Sequence, residues 1–235
     1  RKGVIAQVRH TYRYLDTAYP CLNEKQLAMG ETTIGGRDTL VNKAGMFYIE
    51  ELQRIALERC ATAREAVALM GSLAEKYGYC DGGECLTVAD PNEVWIFEIF
   101  GPGPKKVGAV WAAVRIPDDE IAVSANISRI GTLDLDDKSH YMASANVKEV
   151  ARQLKLWDGK EEFNFFKAYS GENYFHEKKN YSVREHYIMN ALAPDTHDFI
   201  HFVRNNIGTL ADATLSLTPS AKTRRATSWR TNPTA

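Results

Sequence analysis

The sequence has no run of about 18 apolar residues, so it predicts no membrane-spanning helix. It also lacks an excess of either charge: 29 Lys and Arg against 30 Asp and Glu leave a net charge of -1, which provides no overall field for nucleic acid or an anionic membrane. It starts RKGVIAQV, without an initiator Met or an apolar signal core, which leaves cytoplasmic and secreted or periplasmic locations open. With 235 residues, 44% hydrophobic and 25% charged, the composition is that of a globular protein with one large core or two small ones.

Metal-binding motifs are absent as well. The four cysteines lack the spacing of a zinc site. Cys80 and Cys85 can close a disulfide in an oxidising compartment, but two unpaired thiols beside a Gly turn are the favoured interpretation. His197 and His201 are spaced as in a zinc helix, yet Asp198 stands where a Glu normally follows the first His, and no third ligand is evident. We therefore expect neither a metal nor a cofactor.

Hydrophobic spacing predicts an α+β protein in which a helix pair precedes an antiparallel sheet. One helix is expected at 46–59, and a second runs from a capping box of Thr62 and Glu65 to Gly78. Turns containing Pro and Gly then separate short apolar runs, which is typical of a strand meander. The run 94–100 has one apolar face and a second face with Glu98 as its single acid, which indicates a central strand. The other predicted strands are 4–8, 26–30, 85–89, 107–115 and 120–124, and further helices are expected at 147–156 and 181–192.

The most distinctive segment is 27–38, LAMGETTIGGRD. An apolar run stops at Glu31, Thr32 and Thr33, and a Gly-Gly turn and Arg37 follow. This order predicts a strand that presents polar groups at its end, where a rigid element can hold them for binding or catalysis.

Four segments together resemble the dipeptidase family of N-terminal-nucleophile (Ntn) cysteine hydrolases, to which the secernins are related. They read YPCLNEKQLAMGETTIGGRD, YGYCDGGECLTVADPNEVWIFEI, SANISRIG and NYSVREHY, and the resemblance covers most of residues 8–193. It implies a four-layer αββα sandwich, with two facing antiparallel sheets between helices, and hydrolysis of dipeptides or short peptides. It also implies a Cys nucleophile that processing exposes as the first residue, so that its own α-amine serves as the base.

The family's nucleophile opens a strand well upstream of GETT, whereas the nearest cysteine here, Cys21, follows Pro20 in a predicted loop. We therefore expect the chain to be a fragment that lacks the N-terminal Cys segment and is inactive alone. The missing strand would leave an exposed sheet edge, which favours poor solubility or a homo-oligomer. Residues 1–195 are expected to form the Ntn-type domain. Residues 196–235 are unassigned, and 218–235 are expected to be mobile because they have little to bury.

The resemblance also implies site residues. Glu31 and Thr32 are candidate catalytic residues, and Thr33 is a candidate substrate-binding residue, because all three match a turn close to the family's nucleophile. Their amides or hydroxyls can donate to an oxyanion, and Glu31 can bind a substrate amino group; the alternative is that the threonines only cap the turn. Asn126 is either a catalytic oxyanion donor or an Asx-turn residue. Arg184 is either a catalytic residue near the nucleophile or a helix-surface Arg paired with an acid.

Two further arginines are candidate substrate-binding residues. Arg129 is either a clamp for the substrate carboxylate or a member of a buried ion pair, and Arg37 follows the Gly-Gly turn. The leading hypothesis is a cysteine dipeptidase that acts on dipeptides or short peptides, without nucleic-acid binding or membrane insertion. The alternatives are an inactive relative that binds peptides or partners, and a non-peptide amidase of the penicillin or bile-salt acylase type.

Overall fold

A computed structural model describes residues 3–104, 106–171, 184–185, 187–188, 191–192 and 215–216. The helices are α1 (Ile49–Arg59), α2 (Ala63–Tyr77), α3 (Val147–Gln153) and α4 (Phe165–Tyr169). The strands are β1 (Ala28–Thr33), β2 (Glu84–Ala89), β3 (Val94–Phe100), β4 (Val110–Ile116), β5 (Glu120–Ile121), β6 (Tyr141–Ala143) and β7 (Leu215–Ser216). The main sheet has the order β1-β2-β3-β4-β6, and every neighbouring pair is antiparallel. The predicted α+β class and the meander are confirmed.

Local signals define the helix pair on one face of this sheet. The Thr62 hydroxyl accepts from the Glu65 N–H, which completes the predicted capping box, and Gly78 ends α2 with φ +88°. The predicted helix at 46–59 begins three residues later than expected, because Tyr48 is its N-cap. The Tyr48 N–H donates to the Glu51 carboxylate at 2.7 Å, so the free amide at this end is satisfied without another helical turn.

The central strand β3 is buried on both faces, as its sequence predicts. Trp95 and Phe97 join the core beneath α1 and α2. Ile96 and Phe100 join a second core on the opposite face, to which α3, α4 and the loop at 130–133 contribute. Glu98 points into this second core and is fully buried. Two cores against one sheet therefore require β3 to be apolar almost throughout.

Several of the predicted strands differ from those in the structure. Residues 4–8 do not form a strand: they lie along the helix layer, where the Val4 carbonyl accepts from the Tyr77 hydroxyl at 3.0 Å. The strand predicted at 26–30 is Ala28–Thr33, because Gln26 has φ +65° and turns the chain before it. The strand predicted at 107–115 is Val110–Ile116, since Gly108 has φ +143° and its carbonyl accepts from the Tyr79 N–H outside the sheet.

The strand predicted at 120–124 is only two residues long and pairs with β7 as a separate small sheet. Beyond it the chain bends toward the end of β1, where the side chains at 124 and 126 are bound. The helix predicted at 147–156 ends at Gln153, and the described positions between 184 and 192 are helical. Residues 196–214 and 217–235, with His197 and His201, lie outside the described residues.

Candidate active site

The GETT segment forms the end of the edge strand β1 and not the turn beyond it. Its register against β2 places Thr32 opposite Cys85 and Thr33 opposite Glu84. Because side chains alternate along a strand, Glu31 and Thr33 lie on the side of the sheet that carries α1 and α2, and Thr32 lies on the other side. The strand continues through Thr33 and divides these three side chains between its two faces.

On the face away from the helix pair, hydroxyl and thiol groups form a short chain of contacts. The Thr32 and Ser124 hydroxyl oxygens are 2.9 Å apart, and the Ser124 hydroxyl donates to Cys85 Sγ at 3.3 Å. Cys85 is buried, and burial raises the pKa of its thiol far above the usual range. Thr32 is therefore held by a neighbour, Ser124, that the sequence did not single out.

The end of β1 also brings together Thr33, Asn126 and Arg184, which are distant in the sequence. The Asn126 side-chain amide donates to the Thr33 carbonyl at 2.7 Å. Asn126 Oδ1 accepts from the Arg184 guanidinium at 2.8 Å, and this group also donates to the Ala125 carbonyl at 3.3 Å. Asn126 has φ +61°, a left-handed conformation that Asn tolerates better than most residues. Strand end, loop and helix are thus joined through one amide side chain.

Arg129 lies nearby in sequence but in a different environment. Its side chain is buried and forms a two-point ion pair with Glu185, one bond of which measures 3.1 Å. Of the two roles left open for Arg129, the structure contains the buried ion pair. Because Glu185 follows Arg184 directly, this pair also anchors the helical residues that carry the Arg184 side chain toward Asn126.

Glu98 is the second acid in this buried region. Its carboxylate accepts from the Ser128 hydroxyl and from the backbone N–H groups of Arg129 and Ile130, the latter two at 2.6 and 3.3 Å. Burial raises the pKa of Glu98 to about 7, while these hydrogen bonds and the charge of Arg129 oppose the rise. Glu98 therefore holds the loop that leads from Asn126 to Arg129 against the sheet.

Arg37 is directed elsewhere. Its guanidinium donates to the carbonyls of Ala168 and Lys167 at 2.8 and 3.0 Å, at the C-terminal end of α4. A cation at this end of a helix satisfies free carbonyl groups and opposes the helix dipole. These bonds do not bring Arg37 into the cluster formed by Thr33, Asn126 and Arg184.

None of the four cysteines is paired in a disulfide, which confirms the favoured interpretation of Cys80 and Cys85. Cys60 and Cys80 are buried; burial raises the pKa of the Cys60 thiol to about 12, and Cys80 Sγ donates to the Phe47 carbonyl at 3.3 Å. Cys21 is half-buried, and its carbonyl accepts from the Met29 N–H at 2.8 Å.

Within the described residues, hydrogen bonds reach the open edge of β1 at two points. Met29 bonds to Cys21 at one point and Thr33 bonds to Asn126 at the other. Because alternate residues of an antiparallel strand direct their backbone groups to the same side, Glu31 presents its N–H and C=O to this edge between the two contacts. No hydrogen bond to either group occurs within the described part of the chain.

Glu84 is the most perturbed acid that the sequence did not single out. It is 5% exposed, and its Oε2 atom has no hydrogen-bond partner. Burial, then a hydrogen bond with Glu31 and the charges of Glu31 and Asp81, raise the pKa of Glu84 to about 9, and a hydrogen bond with Thr33 opposes the rise. The only signal available in the sequence was an acid at the start of a strand, and its position opposite Thr33 depends on the strand register.

Among the described residues, no three His, Cys, Asp or Glu side chains are arranged to hold a metal ion. The described helices are also too short or too polar to cross a bilayer.

The sequence matches the model of peptidase family C69 over residues 2–206, and the chain therefore belongs to this family. It is 33% identical over 155 residues to a probable dipeptidase of Latilactobacillus sakei, an alignment that covers 63% of this chain and 31% of that protein. It is 34% identical over 151 residues to a probable dipeptidase of Salmonella dublin, with 61% and 33% covered. Dipeptidase A of Lactobacillus helveticus is 27% identical over 146 residues, with 62% and 29% covered. The chain thus spans about a third of the length of these relatives.

Proposed function

We propose that the protein containing this chain is a cysteine-type dipeptidase that hydrolyses dipeptides or short peptides through an N-terminal Cys located upstream of Arg1. The observation that carries the proposal is the joining of Thr33, Asn126 and Arg184 at the end of β1 in a chain of peptidase family C69. The similar proteins of Latilactobacillus sakei and Salmonella dublin are named probable dipeptidases, which supports a short peptide as the substrate.

The state of the four cysteines supports a nucleophile outside residues 1–235. Buried thiols with raised pKa values, such as those of Cys60 and Cys85, contain almost no thiolate at neutral pH and react poorly. Cys21 is more accessible, but its α-nitrogen lies within a peptide bond and cannot act as a base. The backbone is also held here by two hydrogen bonds: the Pro20 carbonyl accepts from the Gln53 side chain at 3.2 Å, and the Cys21 carbonyl accepts from the Met29 N–H.

Asn126 is the proposed oxyanion donor. Its side-chain amide has two hydrogens, and the bond to the Thr33 carbonyl uses one of them. The second can stabilise the negative oxygen that forms when a thiolate attacks a peptide carbonyl. Arg184 is the proposed positioning residue, because its bond to Asn126 Oδ1 fixes which end of the amide faces the strand.

The GETT residues have proposed roles on either side of β1. The Thr32 hydroxyl, held by Ser124, lies on the face that we propose to be the inner one, and Glu31 and Thr33 line the opposite side. For Arg37 and Arg129 the bonds to α4 and to Glu185 favour support of the site over substrate contact. We further propose the four-layer αββα arrangement; burial of both faces of β3 supports it.

Expression of the complete coding sequence, followed by N-terminal sequencing and assays on a dipeptide panel, tests the proposal. We expect an N-terminal Cys, turnover that iodoacetamide abolishes, and loss of turnover when this Cys is replaced by Ala. The variant Cys21→Ala is the matched control and is expected to keep its activity. Absence of turnover on every dipeptide by a folded, processed protein would contradict the proposal, as would inactivation by Cys21→Ala alone.

A further inference from the structure

Two buried side chains, Glu84 and Tyr79, form a polar cluster on the helix side of the sheet, and the proposed chemistry does not use it. Glu84 faces Thr33 across the two strands, and its Oε2 atom is buried without a hydrogen-bond partner. The Tyr79 hydroxyl is also unpartnered, and Tyr79 is 0% exposed. Two buried polar atoms without partners are costly for a folded protein unless another molecule satisfies them.

Acidic groups raise the pKa values of the side chains in this polar cluster. After burial, the groups that raise the pKa of Glu84 are Glu31 and Asp81. Burial and then Glu84 and Asp81 raise the pKa of Tyr79 well above its usual range. The carboxylate of Glu31 is also the largest influence on the pKa of the exposed Tyr19, which it raises. Among the described residues, the carboxyl groups named for all three shifts carry negative charge when ionised, so the polar cluster attracts a cation.

The geometry selects among cations. A metal ion is a poor fit, because no described group of three acidic, His or Cys side chains has an arrangement suited to it. A primary ammonium has three N–H donors and one positive charge. Glu31, Glu84 and Tyr79 offer three oxygen acceptors, and a bound cation would favour the ionised form of Glu84.

We propose that Glu31 and Glu84, backed by the Tyr79 hydroxyl, bind the primary ammonium group at the free N-terminus of the peptide substrate. This inference rests on the proposed function for the identity of its ligand. The neighbouring backbone supports it, since the unpaired N–H and C=O of Glu31 at the strand edge can bond to the backbone of a short extended peptide. Glu84 is then a residue that determines specificity for free peptide N-termini, and the chemical step remains with Asn126 and the nucleophile.

The first test compares a dipeptide with its N-acetylated analogue in the complete protein. The wild type is expected to prefer the free dipeptide strongly. In Glu84→Gln and Glu31→Gln we expect KM for the free dipeptide to rise about tenfold or more with a smaller change in kcat, and the preference over the acetylated analogue to collapse. Glu162→Gln, an exposed acid, is the matched control and is expected to behave as the wild type. Unchanged discrimination in Glu84→Gln would overturn the inference.

The second test separates this inference from the proposed function, because it requires no turnover. Calorimetric titration with leucinamide, which carries an ammonium but no carboxylate, is expected to show binding by the wild type and by Glu162→Gln. Binding is expected to be lost in Glu84→Gln and to be absent for N-acetyl-leucinamide. Binding without hydrolysis of any dipeptide would contradict only the proposed function. Equal binding of both amides, or of neither, would overturn the ammonium site even in an active dipeptidase.

Discussion

The native chain is expected to lose folding stability as the pH rises. Replacing Glu84 with Gln is expected to abolish this pH dependence. Burial beside Glu31 and Asp81 raises the pKa of Glu84 from the ordinary value of 4.5 to about 9. The folded state therefore keeps a proton on Glu84 that the unfolded state has released. Because the folded state binds more protons between these two pKa values, the free energy of unfolding falls with rising pH in that window and levels off above it.

The size of the effect follows from the cost of one pKa unit, about 1.4 kcal/mol. Between about pH 5 and about pH 8 the folded Glu84 stays protonated and the unfolded one ionises, so the native chain loses roughly 4 kcal/mol relative to Glu84→Gln. Gln has nearly the same shape and no charge, so it does not repeat this loss.

Urea unfolding followed by circular dichroism at a series of pH values measures the effect as the difference between the two profiles. Contributions of groups that do not interact with Glu84 cancel in that difference, among them Glu98, whose pKa burial raises to about 7. Glu162→Gln again serves as the control and is expected to give the wild-type profile. Parallel profiles for the wild type and Glu84→Gln would refute the assignment of Glu84 as a buried, protonated acid.

Three further predictions follow from the same structure. Asn126→Asp retains an acceptor for the Arg184 guanidinium but loses the amide donor. We therefore expect kcat of the complete enzyme to fall about 100-fold with little change in KM. Steady-state kinetics on a dipeptide measures this effect, and an unchanged kcat would contradict the oxyanion role. Gly71→Ala is expected to destabilise the fold by about 1–3 kcal/mol in urea unfolding, because the new Cβ would lie 2.4 Å or less from two carbons of the Trp111 indole. A variant as stable as the wild type would show that the helix can shift. Glu185→Gln removes the carboxylate that pairs with the buried Arg129 guanidinium and is expected to cost roughly 3 kcal/mol by the same assay. A loss below about 0.5 kcal/mol would argue against a desolvated ion pair.

Much of the scaffold was predictable because its signals are local. The spacing of apolar residues and the capping box at Thr62 and Glu65 placed α2 almost to the residue, and the Asp-Pro-Asn turn separated β2 from β3 at 90–92. The alternation of large apolar residues in β3 identified a strand buried on both faces. Such patterns act through residues that are neighbours in sequence, so the sequence contains them in full.

The ends of strands were less predictable, since they depend on contacts with segments that are distant in the sequence. Residues 4–8 have the composition of a strand, but their partners are side chains of the helix layer and not another strand. The chain after β5 leaves its short pairing because Ser124 and Asn126 bond to β1. In both cases the competing interaction is formed by a segment more than 70 residues away.

By itself the sequence determined the class of fold, the helix pair, the central strands and a set of polar residues typical of a peptidase site. Only the tertiary structure decided on which face of the sheet each of those residues lies and which partner it contacts. The antiparallel register places Glu84 against Thr33, strand alternation separates Thr32 from Glu31 and Thr33, and the Arg129–Glu185 pair brings Arg184 to Asn126. Burial and register are properties of the packed chain, and for that reason the buried acid Glu84 has no signature in the sequence.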